Sequence, residues 1–61
     1  MNVQELKEGD GLTYIDRDSV ARKGVVLRNR TTESGNLFLT VQDEQERVTV
    51  LRDSKKVVSI A

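Results

Sequence analysis

An all-β fold, a small five-stranded barrel made by a single domain over residues 1–61, is predicted by three observations. Nine of the apolar positions are valine and five further positions are threonine, types that fit a pleated, half-buried surface. They fall in short runs broken by Gly, Asp, Asn and Ser, the punctuation of strands and turns. Five such runs laid flat would leave one face uncovered and two edges open, and curling into a barrel hides both.

Residues 2–8 are the one segment with helical character, Asn2 standing as a cap and Val3 and Leu6 sharing one side. So short a helix holds only by docking on the barrel. Gly9-Asp10-Gly11 then turns the chain into the first strand, Leu12-Thr13-Tyr14-Ile15-Asp16. The second run is Gly24-Val25-Val26-Leu27-Arg28-Asn29-Arg30, followed by the polar turn of residues 31–36. In the third, Leu37, Leu39 and Val41 share one face, with Phe38 and Thr40 on the other. Asp43-Glu44-Gln45-Glu46 leads to the fourth run, residues 47–52, where Val48 and Val50 share a face across Thr49. Residues 53–56 precede the last strand, Val57-Val58-Ser59-Ile60. Leu39 and Val50 are expected in the core, together with at least one of Tyr14 and Phe38.

The same composition excludes most chemistry. A chain of 61 residues buries only about 60% of its unfolded surface, which leaves no room for a deep ligand site. Without Cys there is neither a disulfide framework nor a thiolate metal site, and without His the usual proton shuttle is missing. The carboxylates, Asp16 among them, lie nearly all in expected turns, where solvation keeps them ordinary. Asp43, Glu44 and Glu46 lack the alternating ligands and central Gly of a calcium loop. No Gly-Lys-Ser or Gly-Lys-Thr follows Gly11 to complete a phosphate cradle. No enzymatic activity, catalytic residue, metal or cofactor is therefore expected. No run approaches the roughly 18 apolar residues of a membrane span, and the start lacks a basic segment followed by an apolar one, so a soluble, cytoplasmic protein is expected.

Ten basic residues balance ten acidic ones, but they are segregated along the chain. Residues 1–16 carry a net charge of minus three, 17–30 plus four, 31–46 minus four and 47–61 plus three. The turn of residues 16–23 and the connection of residues 52–56 are expected to meet, with the acidic hairpin of residues 43–46 at the opposite end. This gives a dipolar domain whose basic side is built from Arg17, Arg22, Lys23, Arg52, Lys55 and Lys56, with Arg28 and Arg30 in the same basic block. Such a side attracts polyanions through phosphate contact and counterion release, so RNA or DNA is the expected partner, held by its backbone. The alternative is a protein-interaction or assembly module, of the kind a small phage or plasmid protein uses to dock on a host complex, with self-association through the barrel edges.

Lys7-Glu8-Gly9-Asp10, a strand, Lys23-Gly24-Val25-Val26, and the closing Val48-Thr49-Val50 and Val58-Ser59-Ile60 resemble SH3-like barrels of the Tudor and KOW type over residues 6–60. That resemblance implies an interaction module for nucleic acid, ribosome, polymerase or peptide. Reading methyl-lysine needs an aromatic cage and reading proline-rich peptides an aromatic groove, and Tyr14 and Phe38 supply neither. A partial resemblance to Sm-like barrels of the Hfq type rests on the N-terminal helix, Gly24, Asn36-Leu37-Phe38-Leu39 and Arg52. It implies that Asn36 and Arg52 contact RNA, although Thr32 and Asp53 stand where that family has Asp and Gly. Plasmid-encoded dihydrofolate reductases share the barrel shape, but Val48-Thr49-Val50-Leu51 lacks the polar and aromatic groups of their Val-Gln-Ile-Tyr pore segment.

Overall fold

The computed structural model describes residues 3–61. A 3-10 turn at Val3–Glu5 precedes β1 (Gly11–Ile15), β2 (Ala21–Asn29), β3 (Leu39–Asp43) and β4 (Val48–Leu51). A second 3-10 turn, Ser54–Lys56, then enters β5 (Val57–Ile60). All pairings are antiparallel and give one sheet in the order β4-β3-β2-β1-β5.

This order forces the sheet to curl. β4 and β5 are its two edges, yet only residues 52–56 join them. In a flat sheet those edges would stand about 19 Å apart, four spacings of about 4.8 Å. A connection with three residues wound into a 3-10 turn reaches only about 16 Å. The edges therefore converge, and Ile15 at the end of β1 lines the same recess as Thr49, Val50 and Leu51 of β4, three strands away in sheet order. The Cα radius of gyration is 10.3 Å.

One face of the curled sheet holds the core: Leu6, Leu12, Tyr14, Val26, Leu37, Leu39, Val41, Leu51 and Val57, with Val3 packed against it. The expected alternation in β3 holds, with Leu37, Leu39 and Val41 buried. Val50 does not join them and is 52% exposed. Its pairing with Thr40 places it on the outer face, and the inward positions of β4 are Thr49 and Leu51. Leu27 is an extra residue between the Val26–Val41 and Arg28–Thr40 pairs. This bulge moves the inward positions of β2 from Gly24 and Val26 to Asn29, which pairs with Leu39. At Gly24 an added Cβ would lie 2.4 Å from the Gln42 carbonyl oxygen and 3.0 Å from the Tyr14 ring, so glycine lets the ring lie directly on the strand.

The expected helix over residues 2–8 is a single 3-10 turn, and Asn2 lies outside the described residues. Its carbonyls are held from the barrel. The Asn29 amide donates to Val3 O and Leu6 O, each at 3.0 Å, while Asn29 Oδ1 accepts from the Thr31 hydroxyl at 2.7 Å.

Three turns share one design, a five-residue turn whose fourth residue has positive φ and donates its N–H to the first residue's carbonyl. In residues 16–20 the closing residue is Ser19 (φ 61°), in residues 32–36 Gly35 (φ 90°) and in residues 43–47 Glu46 (φ 64°). Asp16, Thr32 and Asp43 open them, each side chain accepting the N–H four residues on. Because β1 to β4 form an up-and-down meander, the turns of residues 16–20 and 43–47 lie at one end and residues 30–38 at the other. The acidic hairpin thus sits beside Arg17, Arg22 and Lys23 rather than at the opposite end, so acidic and basic residues share this end of the domain.

Candidate nucleic-acid interface

The end where acidic and basic turns meet is internally neutralised. Arg22 Nε donates to Asp16 Oδ2 at 2.8 Å, the single ion pair among the described residues. Asp16, expected to be an ordinary solvated turn carboxylate, is buried. The Arg22 side chain and the Val20 N–H hold its carboxyl below the usual range against the cost of burial, and the Asp18 N–H adds to them. Bonding to Asp16 raises Arg22 in turn. Lys23 shares a recess with Asp43 and Glu44, and Arg17 lies in one with Asp16, Asp18 and Asp43. Burial pushes the Tyr14 phenol up, and the Asp43 and Asp16 carboxylates push it further. Thr49 is near enough to the phenol to oppose this slightly, but the hydroxyl lacks the geometry of a hydrogen bond to any described group.

The other end is different. Register places Arg28, Thr40 and Val50 in one row across the outer face of β2, β3 and β4. Two residues nearer the same end of the sheet, a second row runs Arg30, Phe38, Arg52, tied by the Arg30 N–H donating to Phe38 O at 2.9 Å. The Arg52 guanidinium stands 4.7 Å from the centroid of the Phe38 ring, a cation–π contact. Arg28, Arg30, Thr32, Phe38, Thr40 and Val50 line a groove of about 540 Å³. Among the described residues no carboxylate forms an ion pair with Arg28, Arg30 or Arg52.

The residues singled out from the sequence therefore separate. Arg28, Arg30 and Arg52 come together, and Asn36 shares a recess with Arg52 and Asp53. Arg17 and Lys56 line a further recess with Arg52, so the turn of residues 16–23 and the connection of residues 52–56 do meet. Lys55 is exposed on the 3-10 turn, while Arg22 and Lys23 lie beside the acidic hairpin. Roughly 20 Å of β2 separates Arg22 from Arg28, which block counting along the sequence does not register. Phe38 is the residue that charge counting missed. The alternation placing it opposite Leu37 and Leu39 was the signal that could have found it.

Compared with protein-family models, curated proteins and solved structures, the chain has no significant match. Among the described residues no helix is long and apolar enough to cross a membrane, and no three Asp or Glu side chains cluster as metal ligands would.

Proposed function

We propose that the protein is a non-enzymatic binding module, a small SH3-like barrel that contacts the backbone of RNA or DNA. The observation that carries this reading is the double row on the outer face: three arginines with no carboxylate ion pair among the described residues, grouped around a half-buried aromatic ring. Guanidinium groups recognise phosphate by paired, directed hydrogen bonds, and a groove with no carboxylate in its lining leaves Arg28 and Arg30 free to do so. The strand order and the 3-10 turn entering β5 support the SH3-like reading. Titrating labelled single- and double-stranded oligonucleotides at low and moderate salt tests it. Binding should weaken as salt rises, with a log–log slope near −2 for about three phosphate contacts on a single strand. Affinity no tighter than millimolar at low salt would overturn it.

A second reading is favoured by the edges. Val48 of β4 is 57% exposed and Val58 of β5 is 48% exposed, each on a strand with one unpaired side. These edges suit a protein partner or a second copy. Monomeric light scattering together with an empty pull-down would count against it.

A further inference from the structure

We infer that the groove takes one unpaired nucleobase stacked on Phe38, which makes single-stranded rather than duplex nucleic acid the ligand. This rests on the nucleic-acid reading above and specifies its ligand class. Phosphate alone does not account for the groove, because Phe38, Val50 and the methyl of Thr40 give it apolar surface between the arginines. A base has the complementary character, an apolar π-face ringed by polar edges. The Arg52 guanidinium stacks on the Phe38 ring and does not line the groove, a contact that holds the platform in place. Arg28 and Arg30 stand two residues apart on one face of the extended chain, placed to follow the backbone on either side of that base.

Hydroxyl chemistry further limits what the site can read. The Thr32 hydroxyl is engaged by Ser34 and by the Asn36 N–H. Thr40 has no side-chain hydrogen bond among the described residues, leaving a group that both donates and accepts. Such a group suits the edge of any base, so the site tolerates sequence. A base inside a duplex keeps both faces covered by its neighbours, and a half-buried ring in a concave groove cannot reach it.

The test uses the full chain and an oligonucleotide carrying 2-aminopurine at one position, single-stranded or annealed to its complement. The single strand should bind at least roughly tenfold tighter than the duplex, and the 2-aminopurine emission should be quenched at saturation as the base stacks. Phe38→Leu should weaken single-strand binding by roughly 5- to 150-fold, the range that loss of one base–aromatic stack represents. Its salt slope should stay unchanged, and Phe38→Tyr should restore binding. Unquenched emission at saturation, or equal affinity for strand and duplex, would overturn the base-stacking inference while leaving the backbone-binding function standing. Absence of binding to either would overturn both. The wild-type fluorescence decides the matter even if Phe38→Leu does not fold.

Discussion

Asp16 and Asp43 hold equivalent positions in two turns that match bond for bond. Asp43 Oδ1 accepts the N–H groups of Gln45 and Arg47, each at 2.9 Å, as Asp16 Oδ1 accepts those of Asp18 at 2.9 Å and Val20 at 3.0 Å. In both, the backbone closes between the first and fifth residues, at 3.1 Å in one and 3.0 Å in the other. The difference lies in the second carboxylate oxygen. Asp16 Oδ2 also accepts from Arg22, and among the described residues Asp43 has no corresponding ion pair. Asp16→Ala should therefore lower the melting temperature more than Asp43→Ala does, as measured by circular dichroism.

The same pair fixes the response to acid. The folded-state pKa of Asp16 is depressed, so its stabilisation is fully present above the unfolded value near 3.8 and is lost as pH falls through the folded value. Between those two values the unfolded chain binds more protons, and stability rises with pH. Melting temperatures taken from pH 6 down to about pH 2 should fall more steeply below about pH 4 for the parent than for Asp16→Asn. Parallel curves would show that the Arg22–Asp16 contact does not persist in solution.

Tyr14 has the opposite sign. Its phenol is raised above the usual value of 10.0, so the neutral form is favoured in the fold, and stability is lost as pH climbs from about 10 through the folded pKa. Tyr14→Phe should remove this alkaline loss. Because the buried hydroxyl has no hydrogen-bond partner among the described residues, the substitution should leave stability at neutral pH unchanged or raise it by about 1 kcal/mol, read from urea unfolding.

Leu39 and Val50 make a paired test of which face is inside. Leu39 is fully buried, so Leu39→Ala should cost roughly 2–5 kcal/mol, enough to unfold so small a domain. Val50→Ala on the exposed face should stay within about 0.5 kcal/mol of the parent.

That contrast also shows what could be read from the chain alone. Period-two alternation in residues 37–41 determined the inner face of β3 because turns bound the run on both sides. In β4 the same alternation put Val48 and Val50 on one face, but the expectation that Val50 faces inward has the wrong sign, since Thr49 and the valines have similar β propensity and do not mark which face is buried. The choice is made by Leu51, which pairs with Leu39, and such a tertiary relation is invisible in a local window. The bulge at Leu27 was hidden for a related reason: Val25, Val26 and Leu27 are consecutive and apolar, so nothing in the run marks a change of register. The charge blocks were legible as totals, but strand direction decides which blocks meet.

Gly24 carries a stronger steric constraint than its place in a valine-rich run suggests. A methyl group there would press on the Gln42 carbonyl of β3, which is backbone and cannot swing aside, and on the Tyr14 ring. Gly24→Ala should therefore cost about 1–3 kcal/mol by overpacking, with loss of near-ultraviolet dichroism from the Tyr14 environment. Gly35 has open space around an added Cβ, but its φ of 90° makes Gly35→Ala costly through backbone strain alone, without that spectral change.

The last prediction separates the two ends of β2. Lys23 and Arg28 are both exposed on that strand, but Lys23 lies beside Asp43 and Glu44, while Arg28 lines the groove with Arg30 and Phe38. A cation beside carboxylates attracts phosphate weakly, because the acidic groups repel the incoming anion and already screen the charge. Arg28→Gln should therefore reduce the magnitude of the log–log salt slope for single-strand binding by about 0.7, the share of one phosphate contact. Lys23→Gln should leave that slope unchanged. Anisotropy titrations at four or more salt concentrations measure both. Equal slope changes in the two variants would mean that phosphate is held by the net charge of the strand rather than by the groove.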